Sequence, residues 1–160
     1  MIREAKREEI PQCVDIIRRS FQTVADEFGF TKENCPGFTA FATTEEKLVD
    51  WVDKQHRLLF VYEDEGVLCG FYCLLFTGDD KCEIGSLSVL PEYRHKGFGR
   101  LLLDHACSVA REKGIRYLDL SIVEENKVLR KWYEDQGAVH TGTKKYDFFP
   151  FTCGYLKIEL

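Results

Sequence analysis

The sequence predicts an α/β (α+β) fold: a mixed, mostly antiparallel seven-stranded sheet flanked by about four helices. Three observations carry this expectation. Segments with apolar residues at helical spacing are interspersed with short apolar runs bounded by turn residues. Three consecutive runs near the middle are joined only by the short turns "DEG" and "GDDK", which suit antiparallel neighbours. Ser86–Val123 then reads strand, helix, strand, and such a crossover makes its two strands parallel. No repeat, low-complexity tract or linker interrupts the chain, so residues 1–160 are expected to form one domain.

Each element has its own signal. "MIREA" is a short first strand. "REEIPQCVDIIRRSFQTVADEF" places Ile10, Cys13, Val14, Ile17, Phe21 and Val24 on one helical face. "GFTKENCPGFTAFA" carries Gly29, Pro36 and Gly37 without periodicity and is expected to be a loop. "TTEEKLVDWVDKQ" opens on a capping pattern, Thr43 to Glu46, and should be a second helix. "RLLFVYED", "GVLCGFYCLLFT" and "KCEIGSLSVL" are strands. A helix from about Gly99 to Lys113 turns Leu102, Leu103, Ala106, Val109 and Ala110 inward, and Gly114 closes it. "GIRYLDLSIV" is a strand, and "NKVLRKWYEDQ" is a helix closed by Gly137. "AVHTGTKKY" and "CGYLKIEL" are the last two strands, joined by "DFFPFT".

Charge and cysteine content narrow the function classes. A net charge of −5 argues against a nucleic-acid partner, because phosphate backbones favour a basic face. No apolar stretch approaches the ~18 residues that span a bilayer, so no membrane partner is expected. "MIREAKREEI" lacks the apolar run of an export signal. The seven cysteines are therefore expected to be reduced and mostly buried, in a cytoplasmic protein. No His/Cys cluster has ligand spacing, so no metal is expected.

Against that acidic background, "RHKGFGR" (Arg94 to Arg100) is the informative stretch. It follows a strand that ends at Leu90 and Pro91, and it opens a helix. Glycine tolerates positive φ and close approach by ligand oxygens. The first amides of a helix have no partner within it, and the helix dipole favours an anion there. This combination makes a pyrophosphate site, to which Arg94, Lys96 and Arg100 would add positive field. The Walker A pattern fails for want of Gly-Lys-Ser/Thr, and the dinucleotide fingerprint fails because Leu102 stands in place of its third glycine. An ordinary helix start with solvated basic residues remains open on composition alone.

"VLPEYRHKGFGRLLL" resembles the acyl-coenzyme A binding motif of the GNAT N-acetyltransferases, Arg/Gln-x-x-Gly-x-Gly/Ala, with Arg94, Gly97 and Gly99 at its signature positions. "NKVLRKWYEDQGA" is similar to the family's second motif: Asn126 opens it, Tyr133 follows, and Gly137 closes the helix. Leu129 stands where an alanine is usual and Ala138 where an aromatic is usual. The resemblance spans nearly the whole chain and implies a GNAT-like fold whose sheet splays between the fourth and fifth strands. It implies acetyl-CoA as cosubstrate, its pyrophosphate held by the amides of His95, Lys96, Gly97, Phe98, Gly99, Arg100 and Leu101. It implies that the main chain of Leu87, Ser88 and Val89 pairs with the pantetheine arm, and that an amide near Val89 polarises the thioester oxygen. Asn126 would bond the coenzyme, cap its helix, or do both. Family members are often dimers, so a homodimer is a further expectation.

The implied chemistry is direct acetyl transfer to a primary amine of a small molecule or peptide. The alternative is a catalytically weak acyl-CoA binding or sensing domain, and a third reading is an ATP-binding regulator. An amine of pKa ~10.4 must lose a proton, at roughly 4–5 kcal/mol at pH 7. Glu83, an acid within an otherwise apolar strand, is the expected base, acting through water; Asp119 competes with it. Tyr133 is the expected proton donor to the departing sulfur. His56, His140, His105 and Cys107 form no nucleophilic pair by this reading, so no acyl-enzyme is expected. The aromatic-rich segments "ADEFGFTKENCPGFTAF" and "KKYDFFPFTCGY" are the expected acceptor walls, unless their rings simply pack together.

Overall fold

Alternating apolar residues along seven short runs build one sheet. The computed structural model describes every residue from Met1 to Leu160. Its strands are β1 (Ile2–Glu4), β2 (Leu58–Asp64), β3 (Val67–Phe76), β4 (Lys81–Val89), β5 (Tyr117–Val123), β6 (Val139–Lys145) and β7 (Thr152–Glu159). They lie in the order β1-β2-β3-β4-β5-β7-β6. All neighbours are antiparallel except β4 and β5, the strands of the expected crossover.

Five helices connect them: α1 (Ile10–Phe28), α2 (Thr39–Ala42), α3 (Glu45–Asp53), α4 (Phe98–Glu112) and α5 (Lys127–Asp135). The two-residue period of the strands divides their side chains between two cores. Phe60, Tyr72, Leu74, Cys82 and Ile84 pack under α4 and α5. Leu59, Val61, Phe71 and Cys73 pack under α1 and α3. A smaller third core gathers Phe30, Phe38, Val123 and Phe151 at the end of β5.

Two local expectations need correction. α2 is a helical turn inside the segment read as loop, and Thr43, buried at its end, donates its hydroxyl to the Thr39 carbonyl (2.7 Å). That leaves Thr44, not Thr43, to cap α3, accepting the Lys47 amide at 3.2 Å. The cysteines are free thiols, six of them buried. No helix is long and apolar enough to cross a membrane.

The parting of β4 from β5 positions the candidate site. These strands pair only over Lys81–Glu83 against Tyr117–Asp119. Beyond Glu83, β4 bulges: Gly85 faces Cys73 and Ser88 faces Phe71, so Ser86 and Leu87 share the single partner Tyr72. Ser86 takes a left-handed φ of 52° to do so. A bulge bends its strand, and this one turns the rest of β4 away from β5.

Candidate active site

The mouth of the parted strands is formed by the loop after β4. Its chain passes through a short 3-10 turn, Pro91–Tyr93, and enters α4 with two left-handed residues, His95 (φ 64°) and Gly97 (φ 82°). Consequently the amides of His95, Lys96, Gly97, Phe98, Gly99 and Arg100 donate to no other group of the protein; Leu101 is the first to bond, to the Gly97 carbonyl at 3.1 Å. Leu101 was expected among the free donors, and its own helical turn removes it. A run of amides at the positive end of a 15-residue helix is an anion cradle. The Phe98 ring stacks on Tyr62 at 4.2 Å and fixes where α4 begins.

Arg94 spends its hydrogen-bond donors away from this cradle. Its guanidinium crosses to α1, with Nη1 donating to Thr23 Oγ1 (3.0 Å) and Nη2 to the Ser20 carbonyl (3.0 Å) and hydroxyl (3.1 Å). Nε reaches back to the Val89 carbonyl at 3.3 Å. Burial pushes its pKa down. Beside it, Arg19 holds Glu92 at 2.8 Å. Both contacts strap the loop to α1, so Arg94 is a strut for the cradle. Lys96, 5.1 Å from the Tyr93 ring, and Arg100 remain exposed cations at the loop.

Behind the loop lies the cleft. The Leu90 amide donates to the Cys69 carbonyl (2.8 Å), and strand alternation then turns the main chain of Val89 and Leu87 toward the β5 side. The Ser88 side chain is buried and donates to the Ser86 carbonyl at 2.6 Å, so it supports the bulge. A Cβ on Gly99 would sit 3.7 Å from the Trp132 ring and 4.0 Å from Val89 Cγ2. Gly99 thus packs beside Trp132 and Val89, with space among the three for little more than a methyl group. Sequence reasoning passed over Trp132; its place next to Tyr133 on a short helix was the available signal.

α5 supplies the other expected residues. Asn126 caps it, Oδ1 accepting the Leu129 amide at 3.2 Å. Tyr133 is 7% exposed with its ring in the core. Its hydroxyl makes no protein hydrogen bond, yet no polar side-chain atom is sealed away unpartnered, so this hydroxyl touches accessible surface. Burial raises its pKa, which keeps the phenol protonated. Leu129 and Ala138, the two departures from the family pattern, both pack against the core beneath α4 and α5.

On the opposite face of the sheet, Glu83 and Asp119 are register partners at the last pair before the strands part. Cys82, one residue before Glu83, is buried on the other face, as the strand period requires. Glu83 is exposed and Asp119 half-buried. Tyr155 stands nearby, its hydroxyl 3.0 Å from that of Tyr146. That hydrogen bond, burial and neighbouring negative charge including Glu83 push its pKa up to about 12.

The aromatic walls are mostly closed on themselves. Phe30 lies 5.0 Å from both Phe38 and Phe151, and Phe149 stacks on Phe151 at 4.7 Å. Only Phe148 is left widely exposed among these rings. Two of the four histidines have structural partners: His105 with Tyr72 at 2.7 Å, His140 with Glu124 at 2.9 Å.

Comparison with known proteins agrees with this architecture. The model of the acetyltransferase (GNAT) family matches residues 18–138. Streptothricin acetyltransferase of Streptomyces lavendulae is 30% identical over 91 residues, 56% of this chain and 48% of that protein. Mycothiol acetyltransferase of Propionibacterium freudenreichii is 33% identical over 91 residues, 55% of this chain and 29% of that one. The chain therefore matches about half, or less, of the length of these relatives. The crystal structure of PaiA N-acetyltransferase from Thermoplasma acidophilum in complex with coenzyme A superposes with a TM-score of 0.83 at 21% identity, covering 100% of this chain and 98% of that chain. The family match takes in both sequence motifs and both of the parted strands, and the chain belongs to the acetyltransferase (GNAT) family.

Proposed function

We propose that this protein moves the acetyl group of acetyl-CoA directly to a primary amine of a small molecule or peptide. The observation that carries the reading is the run of free amides from His95 to Arg100 at the mouth of the parted β4–β5 pair. A pyrophosphate matches those donors, and an extended arm with two amides matches the main chain of Leu87 and Val89 that faces β5.

The chain's residues then divide the work. The amide of Val89 faces the cleft and polarises the thioester oxygen. Glu83, with Asp119 as the competing carboxylate, collects the amine's proton through water as nitrogen attacks the carbonyl carbon. The carbon–sulfur bond breaks, and Tyr133 hands its proton to the sulfur. Bulk solvent restores both groups. Asn126 holds the first turn of α5 and so fixes Tyr133. The relatives named for streptothricin and mycothiol differ in acceptor, and they leave the amine open.

Thiol release over peptides, polyamines, aminoglycosides and amino acids tests the activity. Tyr133→Phe should lower kcat by about 100-fold, in the range of general-acid contributions, with the Kd for acetyl-CoA intact. Full activity in that variant removes Tyr133 as the acid. Coenzyme binding without turnover on any amine supports a binding or sensing domain instead. ATP bound as tightly as acetyl-CoA in calorimetry would sink both readings.

A further inference from the structure

The face of the sheet that carries Glu83 holds a cation that no acid answers. Arg57 lies between α3 and β2, half-buried, with its guanidinium 4.5 Å from the Trp51 ring. Nε donates to Gln55 Oε1 at 2.7 Å, and Nη1 lies 3.6 Å from Cys73 Sγ. No carboxylate stands within 4.0 Å, and Nη2 has no hydrogen-bond partner. Arg94 shows what a structural guanidinium looks like in this protein: all three of its nitrogens are engaged. Arg57 keeps one edge of its fork open.

Its position matters. Nη1 lies 3.5 Å from where a Cβ on Gly85 would be, so the guanidinium overlies β4 at the residue before the bulge. Glu83 is two residues back on the same face, about 7 Å along the strand. The two charges act on one sulfur: burial raises the Cys73 thiol most, while Arg57 pulls it down and Glu83 pushes it up. Yet Arg57 and Glu83 do not pair with each other. A cation and an anion held apart across a glycine complement a molecule that carries an ammonium and a carboxylate on one carbon.

We infer that Arg57 binds the carboxylate of the acceptor and that the acceptor is an α-amino acid or a close analogue of one. The inference rests on the acetyl-transfer reading for its reaction but not for its binding site. The Trp51 stack holds the planar fork in place, and a fork is what a carboxylate matches with two parallel hydrogen bonds.

The test compares the standard amino acids with their decarboxylated amines, such as phenylalanine with phenethylamine and leucine with isoamylamine. The wild-type protein should favour the amino acid of its best pair. Arg57→Met keeps the stem against Trp51 and removes the fork. It should weaken kcat/KM for that amino acid by about 10- to 100-fold, the range for a charge-assisted hydrogen bond. The decarboxylated amine and the Kd for acetyl-CoA should be unchanged, and Arg57→Lys should recover part of the loss. Preference for decarboxylated amines, or an equal loss on both members of a pair, overturns the inference. Calorimetry of the same amino acids into coenzyme A-saturated protein gives a readout without turnover. Arg57-dependent binding with no acetylation defeats the acetyl-transfer reading and leaves the carboxylate site standing. No binding of any amino acid removes the site.

Discussion

The two glycines of the cradle answer to different forces, and replacing each by alanine separates them. Gly97 is left-handed at φ 82°, and a Cβ there would meet nothing within 4 Å. Gly97→Ala therefore adds no clash, only the backbone strain of a non-glycine residue in that region, about 1–2 kcal/mol. Gly99 lies in the first turn of α4, and its φ is not left-handed. An alanine there gains helix propensity, at most about 1 kcal/mol and less so near a helix end. Its Cβ meets Trp132 and Val89 at ordinary contact distances, 3.7 and 4.0 Å. The fold should therefore be destabilised by the first substitution and left equal or slightly firmer by the second. For a chain of this length, a separation of about 2 kcal/mol corresponds to roughly 4–8 °C in Tm. Coenzyme affinity should move the other way for Gly99, because its new methyl occupies the cleft between β4 and α5. Differential scanning calorimetry and isothermal titration with acetyl-CoA read both effects. Equal losses of Tm would refute the backbone argument, and an unchanged Kd in Gly99→Glu would refute the cleft.

Two further expectations concern stability. Arg94→Met should lose about 2–4 kcal/mol, less than its contacts summed, because water refills some of them. Its acetyl-CoA affinity should fall too, and the double variant Ser20→Ala, Thr23→Val, which touches α1 alone, should reproduce part of that fall; weak coenzyme binding in a fully stable Arg94→Met protein would contradict the strut. In acid, Arg3 matters: its guanidinium grips Glu9 at 2.9 and 2.7 Å and holds that carboxyl down to about 2 from an ordinary 4.5. Because the folded value is the lower one, Glu9 contributes its full stability above about pH 4.5 and loses it as pH falls toward 2. Glu9→Gln should be less stable at pH 7 and show a shallower decline over that window in urea titrations; an unaltered slope would mean other carboxylates dominate acid unfolding.

Most of the architecture was legible because it depends on local pattern. Strand and helix periods, the turns at "DEG" and "GDDK", and Gly114 and Gly137 each act over a few residues. The crossover made β4 and β5 neighbours, but nothing local announced that their pairing would stop at Glu83. That depends on Ser86 and Leu87 sharing Tyr72 as a partner, a register fact that arises only when β3 is laid beside β4. The third core has the same origin. The rings of Phe30, Phe38 and Phe151 come from segments more than a hundred residues apart, and their mutual burial defeats the expectation that they would line an acceptor pocket. Thr43 lost its capping role to Thr44 because its buried hydroxyl is given to the Thr39 carbonyl one turn back.

The arginines sharpen the point. Position in a motif marked Arg94 as a ligand for the coenzyme, yet its hydrogen bonds go to α1 and β4. Arg57 sits in no motif and drew no notice in the sequence, where it is one basic residue among 22. Its interest comes from what it leaves unused: a stacked, half-buried fork with an open edge beside the bulge. The same criterion selects the amides of His95 to Arg100 over the charges around them. In both places the capacity for recognition is hydrogen-bonding potential that the fold has positioned and not consumed, and only packing decides which groups those are.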